Sequence, residues 1–442
     1  MTDRENVHRF LDSLVNYEKI GFDEIRKEFK LGKLREALAA LGGPQEKYRA
    51  IHIAGTKGKG SISTFTASIL QASGYRVGLF TSPHLSVPNE RIKINNEMIR
   101  DDDLARIINY LIDKLGIDTV RSFTFFEFYT LMALVHFSIS DVDFAVLETG
   151  LGGRLDATNV IDAGISGLSP VSYDHMHILG NTLEKIAREK AAIIKRGAYC
   201  VSSPQRAEAL KEIRSRCEAV GASLAVVGKD ITCRITASDE NGSAFDITGI
   251  DAEYKGCRTN MAGDFQSANC AVALGMCERA LRDKGVDAKK FKEGIEAAFI
   301  PGRMEILSRG PMVVIDGAQN GDSAMRLKSS VEKIFKYDKL ILVLGLSEDK
   351  DIKSVCANLA PMADEIVVTR SSVRRAADPH IIRGYIKGRQ VTVTSDVKEA
   401  LGTAFRLAAR GDMILVTGSF YLIGEVRELV LGRARCLGNL IR

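Results

Sequence analysis

The run Ile51-His52-Ile53-Ala54-Gly55-Thr56-Lys57-Gly58-Lys59-Gly60-Ser61 holds the residues best suited to chemistry on an anion. An apolar segment, Ala50 to Ala54, stops at Gly55, and Ile62 to Gln71 then has helical spacing. Strand, glycine-rich loop and helix start therefore follow one another. Glycine lets the backbone turn tightly and come close to phosphate oxygens, and the first helical N–H groups point at the anion. Lys59 adds a point charge, and Ser61 a hydroxyl for a magnesium ion. The generic phosphate-loop pattern is not met in full. With Gly58-Lys59 as its glycine–lysine pair, Ile53 stands at the first glycine position and Gly60 where Ser or Thr belongs. The order of elements carries the reading; the alternative is an ordinary glycine-rich turn.

Other candidates also follow strand-like segments. Asp143 to Glu148 reads as a buried strand ending on a carboxylate. Glu148 suits magnesium, which takes hard oxygen ligands, or it caps the next glycine loop, Gly150 to Asp156. Val77 to Thr81 leads into Ser82, and Ala163 to Leu168 into Asp174-His175-Met176-His177. Taken alone, a loop histidine is more often structural than a ligand, and Lys190, in a helix over Leu183 to Lys195, reads as solvated or ion-paired. Asp316 ends a later strand and either caps the turn or reaches a ligand. Alternating strands and helices imply a parallel sheet covered on both faces, with ligands at the carboxyl ends of its strands. Gly55, Ser82, Glu148 and His175 share that position, which points to one site. Phe125, Phe126 and Phe128 read as core, whereas Glu127 among them needs a partner or a polar cleft.

A length of 442 residues suggests two or three domains. Hydrophobic residues at 45% and charged residues at 26% fit a globular chain with a sizeable core. The net charge of +5 is spread without a basic stripe, so no nucleic-acid partner is expected. The eight cysteines show no CxxC spacing. Cys270 and Cys277 fall on one helical face and read as small buried residues in a reducing compartment. A polar N-terminus and no apolar run of membrane length lead to an expected cytoplasmic location, with no membrane partner. Residues 1–49 read as helical, with helical spacing over Phe22 to Leu41. Further helices are expected over Leu104 to Leu115, Phe123 to Ser138, Phe265 to Arg282 and Ala288 to Phe299, and a hairpin region over 229–258. After Pro301-Gly302-Arg303 the βα rhythm restarts, with strands at Met312 to Asp316, Leu340 to Gly345, Glu365 to Thr369, Val391 to Thr394 and Met413 to Thr417.

In chain order the blocks are Gly55 to Ser61, Thr81-Ser82-Pro83-His84-Leu85, Glu90-Arg91-Ile92, Leu147 to Asn159, Asp174-His175, Arg188-Glu189-Lys190-Ala191, Pro301-Gly302-Arg303 and Asp316-Gly317-Ala318. Together they resemble the folylpolyglutamate synthase and dihydrofolate synthase family of the Mur ligase superfamily, over nearly the whole chain. Leu151 to Asn159 and Thr81 to Leu85 are specific for the folate branch. The resemblance implies an α/β fold: a P-loop-type ATPase domain with a parallel sheet, residues 1–300, and a C-terminal Rossmann-like glutamate ligase domain, residues 301–442, with the site between them. It implies an ATP-dependent ligase that adds L-glutamate to tetrahydrofolate, to dihydropteroate, or to both, through an acyl phosphate.

By the same resemblance, Thr56, Gly58, Lys59, Gly60, Ser61, Gln266, Asn269, Arg303 and Asp316 bind ATP. Ser61, Ser82, Glu148 and His175 hold magnesium, with two ions expected. Lys59, Glu148, His175 and Lys190 are the catalytic set, Lys190 matching a lysine that the family commonly carbamylates. Arg154 and Asp156 lie near the pterin. Small molecules are the expected partners, and the chain is expected to be a monomer. The sequence departs from the family at Gln319 and Gly321, which stand in place of histidine and proline, at Phe265, often histidine, and at Lys57, frequently asparagine. Glutamine donates a hydrogen bond but carries no charge. Two alternatives stay open: a Mur-like amide ligase with another acidic acceptor, and a nucleotide-binding regulatory protein without turnover.

Overall fold

Strand burial decides the architecture. The computed structural model describes residues 4–20 and 31–438. Its first sheet has eight strands: β1 (Arg49–Ala54), β2 (Val77–Phe80), β3 (Ile92–Ile94), β4 (Glu97–Met98), β5 (Phe144–Glu148), β6 (Ile165–Leu168), β7 (Tyr199–Ser202) and β8 (Ser223–Val226). Their order is β4-β3-β2-β5-β1-β6-β7-β8. The strands from β2 to β8 pair in parallel, and β3 and β4 close one edge antiparallel. In β5, Phe144 and Val146 enter one core, and Ala145 and Leu147 the other. Helices Lys59–Ala72 and Phe265–Leu281 cover the first face; Asp101–Leu115 and Phe125–Ile139 cover the second. Each fully buried Ile, Leu or Phe stabilises this arrangement by about 1.5–3 kcal/mol relative to exposure. Ile53 pairs with Glu148 and Ala54 with Leu168, so the ends of β1, β5 and β6 are level.

A second sheet comprises β12 (Glu305–Arg309), β13 (Met312–Asp316), β14 (Leu340–Leu344), β15 (Glu365–Val368), β16 (Val391–Val393) and β17 (Met413–Thr417). Its order is β12-β13-β17-β14-β15-β16, parallel except for β12. Alternation is again complete. Val314, Leu342 and Leu415 face one core, and Val313, Val343 and Val416 the other. The chain is thus an α/β domain on an eight-stranded sheet followed by a second α/β domain on a six-stranded one.

Several expectations change in detail. The hairpin region is a three-stranded antiparallel sheet, β9 (Thr232–Asp239), β10 (Gly242–Thr248) and β11 (Glu253–Thr259). The helix from Leu183 stops at Ala191, where residues 192–195 turn toward β7. Among the described residues the N-terminal segment holds helices Arg4–Asp12, Tyr17–Ile20 and Gly32–Ala40, and β1 begins at Arg49. The expected helix from Phe22 falls in part outside the described residues. Cys270 and Cys277 are both buried against the first sheet. Among the described residues no helix is long and apolar enough to cross a membrane.

Candidate active site

Gly58 has φ 92° and caps helix Lys59–Ala72 without a side-chain bond to the helix. A Cβ there would lie 2.6 Å from Asn269 Oδ1, so only glycine fits without strain. The N–H groups of the helix's first turn have no partner within the helix and open toward the cleft. Lys59 Nζ donates to Gly55 O at 3.3 Å. Thr56 ties the loop to the end of β6: its N–H reaches Pro170 O, and its hydroxyl exchanges bonds with Ser172.

Glu148 is buried at the end of β5, and its Oε2 accepts from the Ser82 N–H at 3.2 Å. Burial pushes its carboxyl pKa up, against the opposing charge of Lys59. Among the described residues no ion pair within 4 Å neutralises it. His175 has φ 50° in a turn after β6. Burial lowers its pKa to about 4, although Asp174 pulls the other way. Asp174 pairs with Lys57 at 3.0 Å. Burial would raise the Asp174 pKa, but Lys57 and His175 outweigh it, and the carboxylate stays below its ordinary range.

Lys190 is buried behind the phosphate loop, with Nζ 2.8 Å from Gly55 O. Burial, then the nearby Lys59 charge, lowers its pKa to about 7. The second glycine loop docks on the same helix. Arg154 N donates to Glu189 O at 2.9 Å, and a Cβ on Gly153 would lie 2.6 Å from that oxygen. Arg154 Nε pairs with Glu189. Asp156 is buried and accepts from Leu151 N at 2.8 Å, Thr158 N at 3.0 Å and Thr158 Oγ1 at 2.5 Å.

These parts border one cavity of about 630 Å³ between the two sheets. Thr56, Gly58, Lys59, Gly60, Ser61, Ser82, Glu148, Arg154, Asp156, His175, Asn269, Arg303, Asp316 and Gln319 all line it. Gln266 stands behind Asn269, accepting its amide at 3.0 Å, and Lys190 stands behind Gly55. Asp316 does not cap the following helix; it accepts from Met304 N and Ala318 N, while Asn320 caps helix Gly321–Ile334. Arg303 lies 4.7 Å from the Phe420 ring centre. Phe126, expected in the core, is only partly buried and faces the cavity. Glu127 is explained by a capping box with Thr124.

Sequence reasoning missed the second domain's cations. Arg326, Lys350 and Arg375 line the cavity, with Lys350 and Arg375 both near Asp349, at 3.4 and 3.6 Å. The available signal was position: residues 350 and 375 follow the carboxyl ends of β14 and β15, where ligands gather. The missed Tyr421 also lines the cavity and donates to Glu18 O at 3.3 Å.

A family model of the Mur ligase middle domain matches residues 53–277, and one of the Mur ligase glutamate ligase domain matches residues 302–420. The chain is 31% identical over 404 residues to the dihydrofolate synthase/folylpolyglutamate synthase of Bacillus subtilis, covering 90% of this chain and 94% of that one. A Mycobacterium tuberculosis folylpolyglutamate synthase complexed with ADP superposes with a TM-score of 0.89 at 29% identity, over 97% and 98% of the two chains. The Escherichia coli FolC complex with DHPP and ADP gives 0.85 at 27%, over 97% and 98%. The phosphate loop and the LGGRLDATN loop lie on one cavity, and both domain types occur in order along the chain; this protein belongs to the folylpolyglutamate synthase/dihydrofolate synthase family of Mur ligases.

Proposed function

We propose that this protein is an ATP-dependent ligase that joins L-glutamate to tetrahydrofolate, to dihydropteroate, or to both. One observation carries the reading: the phosphate loop and the glycine loop of residues 150–157 border the same cavity as Arg303 and Asp316 of the second domain. The acceptor's carboxylate oxygen attacks the γ-phosphorus of ATP, and the bond to the β-phosphate oxygen breaks to release ADP. The glutamate amine then attacks the acyl carbon, phosphate leaves, and the amine loses a proton. Two anions must meet in the first step. The helix N-terminus at Gly58, with Lys59 and Arg303, offsets their repulsion and holds them in line. Lys350, Arg326 and Arg375 supply positive charge for the carboxylates of the incoming amino acid.

The donor set fits magnesium. Glu148 is a buried carboxylate with no ion pair among the described residues, and the Ser61 and Ser82 hydroxyls and a neutral His175 complete a mostly hard-oxygen group. When bound, the ion would neutralise phosphate charge as it develops. Thr56, Gly58, Lys59, Gly60, Ser61, Asn269, Arg303 and Asp316 are assigned to ATP, Gln266 to support of Asn269, and Arg154 and Asp156 to the acceptor end. The division falls at residues 300 and 301, and a cytoplasmic monomer suits these substrates. ADP release with ATP, Mg²⁺ and L-glutamate, with either acceptor offered and products read by mass spectrometry, tests the assignment. Glutamylated product with at least one acceptor is expected. ADP binding with no amide from either acceptor would overturn it.

A further inference from the structure

His52 sits in the middle of β1 with no exposed surface, between the buried Ile51 and Ile53. Its Nε2 lies 2.7 Å from Thr158 Oγ1. That hydroxyl in turn donates to Asp156 Oδ1 at 2.5 Å, and its single proton is thereby used. The contact with His52 must then run the other way: the imidazole carries its proton on Nε2 and donates it to Thr158. Nδ1 is left without a partner among the described residues. Burial lowers the ring's pKa to about 3, so it stays neutral. Leaving a polar ring in such a place is costly, and a leucine would pack there without that penalty.

What the ring holds explains its presence. Asp156 gathers Leu151 N and Thr158 N, which closes the loop that presents residues 150–157 to the cavity. Three residues after His52, the same strand turns into the phosphate loop at Gly55. One rigid strand therefore carries one reacting partner's loop through the chain and the other's through a side chain. We propose that His52 is a positioning residue that fixes the acceptor loop, through Thr158 and Asp156, at a set distance from the phosphate loop. The assignment of the loop to the acceptor rests on the proposed function; the mechanical link does not.

Two measurements separate these. Hydrogen exchange over residues 149–160 reads the link without any substrate, and steady-state kinetics read its consequence. His52→Leu and Thr158→Val should each speed exchange in that segment. Each should raise the acceptor KM about tenfold, the loss expected for one buried hydrogen bond, while ADP affinity stays within about twofold. The double variant should be no worse than the poorer single, since both cut the same chain of bonds from β1 to Asp156, Thr158→Val at two links. His52→Gln, which keeps a donor near the Nε2 position, should restore most of both. If His52→Leu does not fold, His52→Met takes its place, because Thr158→Val also removes the hydroxyl's bond to Asp156. Unchanged exchange in Thr158→Val overturns the link. Faster exchange with parallel losses in ADP affinity and acceptor KM overturns the positioning role, leaving only a structural histidine. Faster exchange in both variants, with an unmodified protein that glutamylates neither acceptor, would keep the link and sink the proposed function instead.

Discussion

Lys190 shows how far environment overrides spacing at the scale of one residue. By helical position it reads as a solvated lysine, yet it is buried against Gly55 O with its pKa lowered to about 7. A neutral amine can attack carbon dioxide, forming a carbamate and releasing a proton, and that converts a cation into an anion beside the phosphate loop. Carbon-13 bicarbonate should therefore label Lys190 above pH 7, and stripping carbon dioxide should lower turnover; no label at pH 8.5 would count against the idea. In buffer free of carbon dioxide the unmodified amine gives a second signature. The folded state releases its proton near pH 7 and the unfolded chain near 10.4, so the unfolded state binds more protons between them and stability rises with pH in that window. Lys190→Met should flatten the rise in Tm from pH 7 to 9; an unchanged slope would mean the lysine is not neutral when folded. For Glu148→Gln, geometry is kept and charge is lost. The expected fall in kcat is about 10²–10³ with ADP still bound, the usual cost of removing one preorganised charge contact, and a fall below tenfold would remove Glu148 from the reaction.

Among elements, the glycine-rich loop between β1 and helix Lys59–Ala72 was legible because its parts come in a fixed order. A buried strand, three glycines and a helix start have few other uses together. The parallel strands were legible for a related reason: burial on both faces makes runs such as Leu340 to Leu344 wholly apolar. Strands with one wet side or little length were not. β12 mixes Glu305, Ser308 and Arg309 with two apolar residues, and β7 is four residues with a serine at its end, so neither pattern exceeds background. β12 is fixed by pairing with β13, and β7 by β6 and β8 across intervening helices. The cavity's glycine-loop side was visible in sequence, whereas Lys350, Arg375 and Tyr421 were not, because only the assembled second sheet brings them to the cleft. Gly58→Ala tests the loop directly. Its Cβ would meet Asn269 Oδ1 at 2.6 Å in a backbone conformation of φ 92°, so strain above about 1 kcal/mol is expected. Calorimetry should show ADP affinity down at least tenfold; wild-type affinity would mean the loop does not hold phosphate.

At the scale of the whole molecule, the halves meet through Leu85, which packs against the second domain's core, and through polar contacts around the cavity. Tyr421 donates to Glu18 O, whose side chain pairs with the fully buried Arg91. On the other side Arg309 reaches Glu240 and Asn241 at 2.6 and 2.9 Å. The exposed Arg309 pair is worth little and fades with salt. Tyr421→Phe removes a partly buried bond worth about 1 kcal/mol. It should raise the glutamate KM roughly fivefold, with Tm nearly unchanged; an unaffected KM would show that the contact does not hold the halves together. The order of the second sheet has a consequence for synthesis. β17 lies between β13 and β14, yet it is made after every other strand. On the ribosome, β13 must wait with an open edge, its apolar faces bare, until residue 417 has cleared the exit tunnel, whereas β1 to β8 can already pair. The first half can thus be finished while the second sheet still lacks its central strand, and the vulnerable interval is the making of the stretch from β13 to β17.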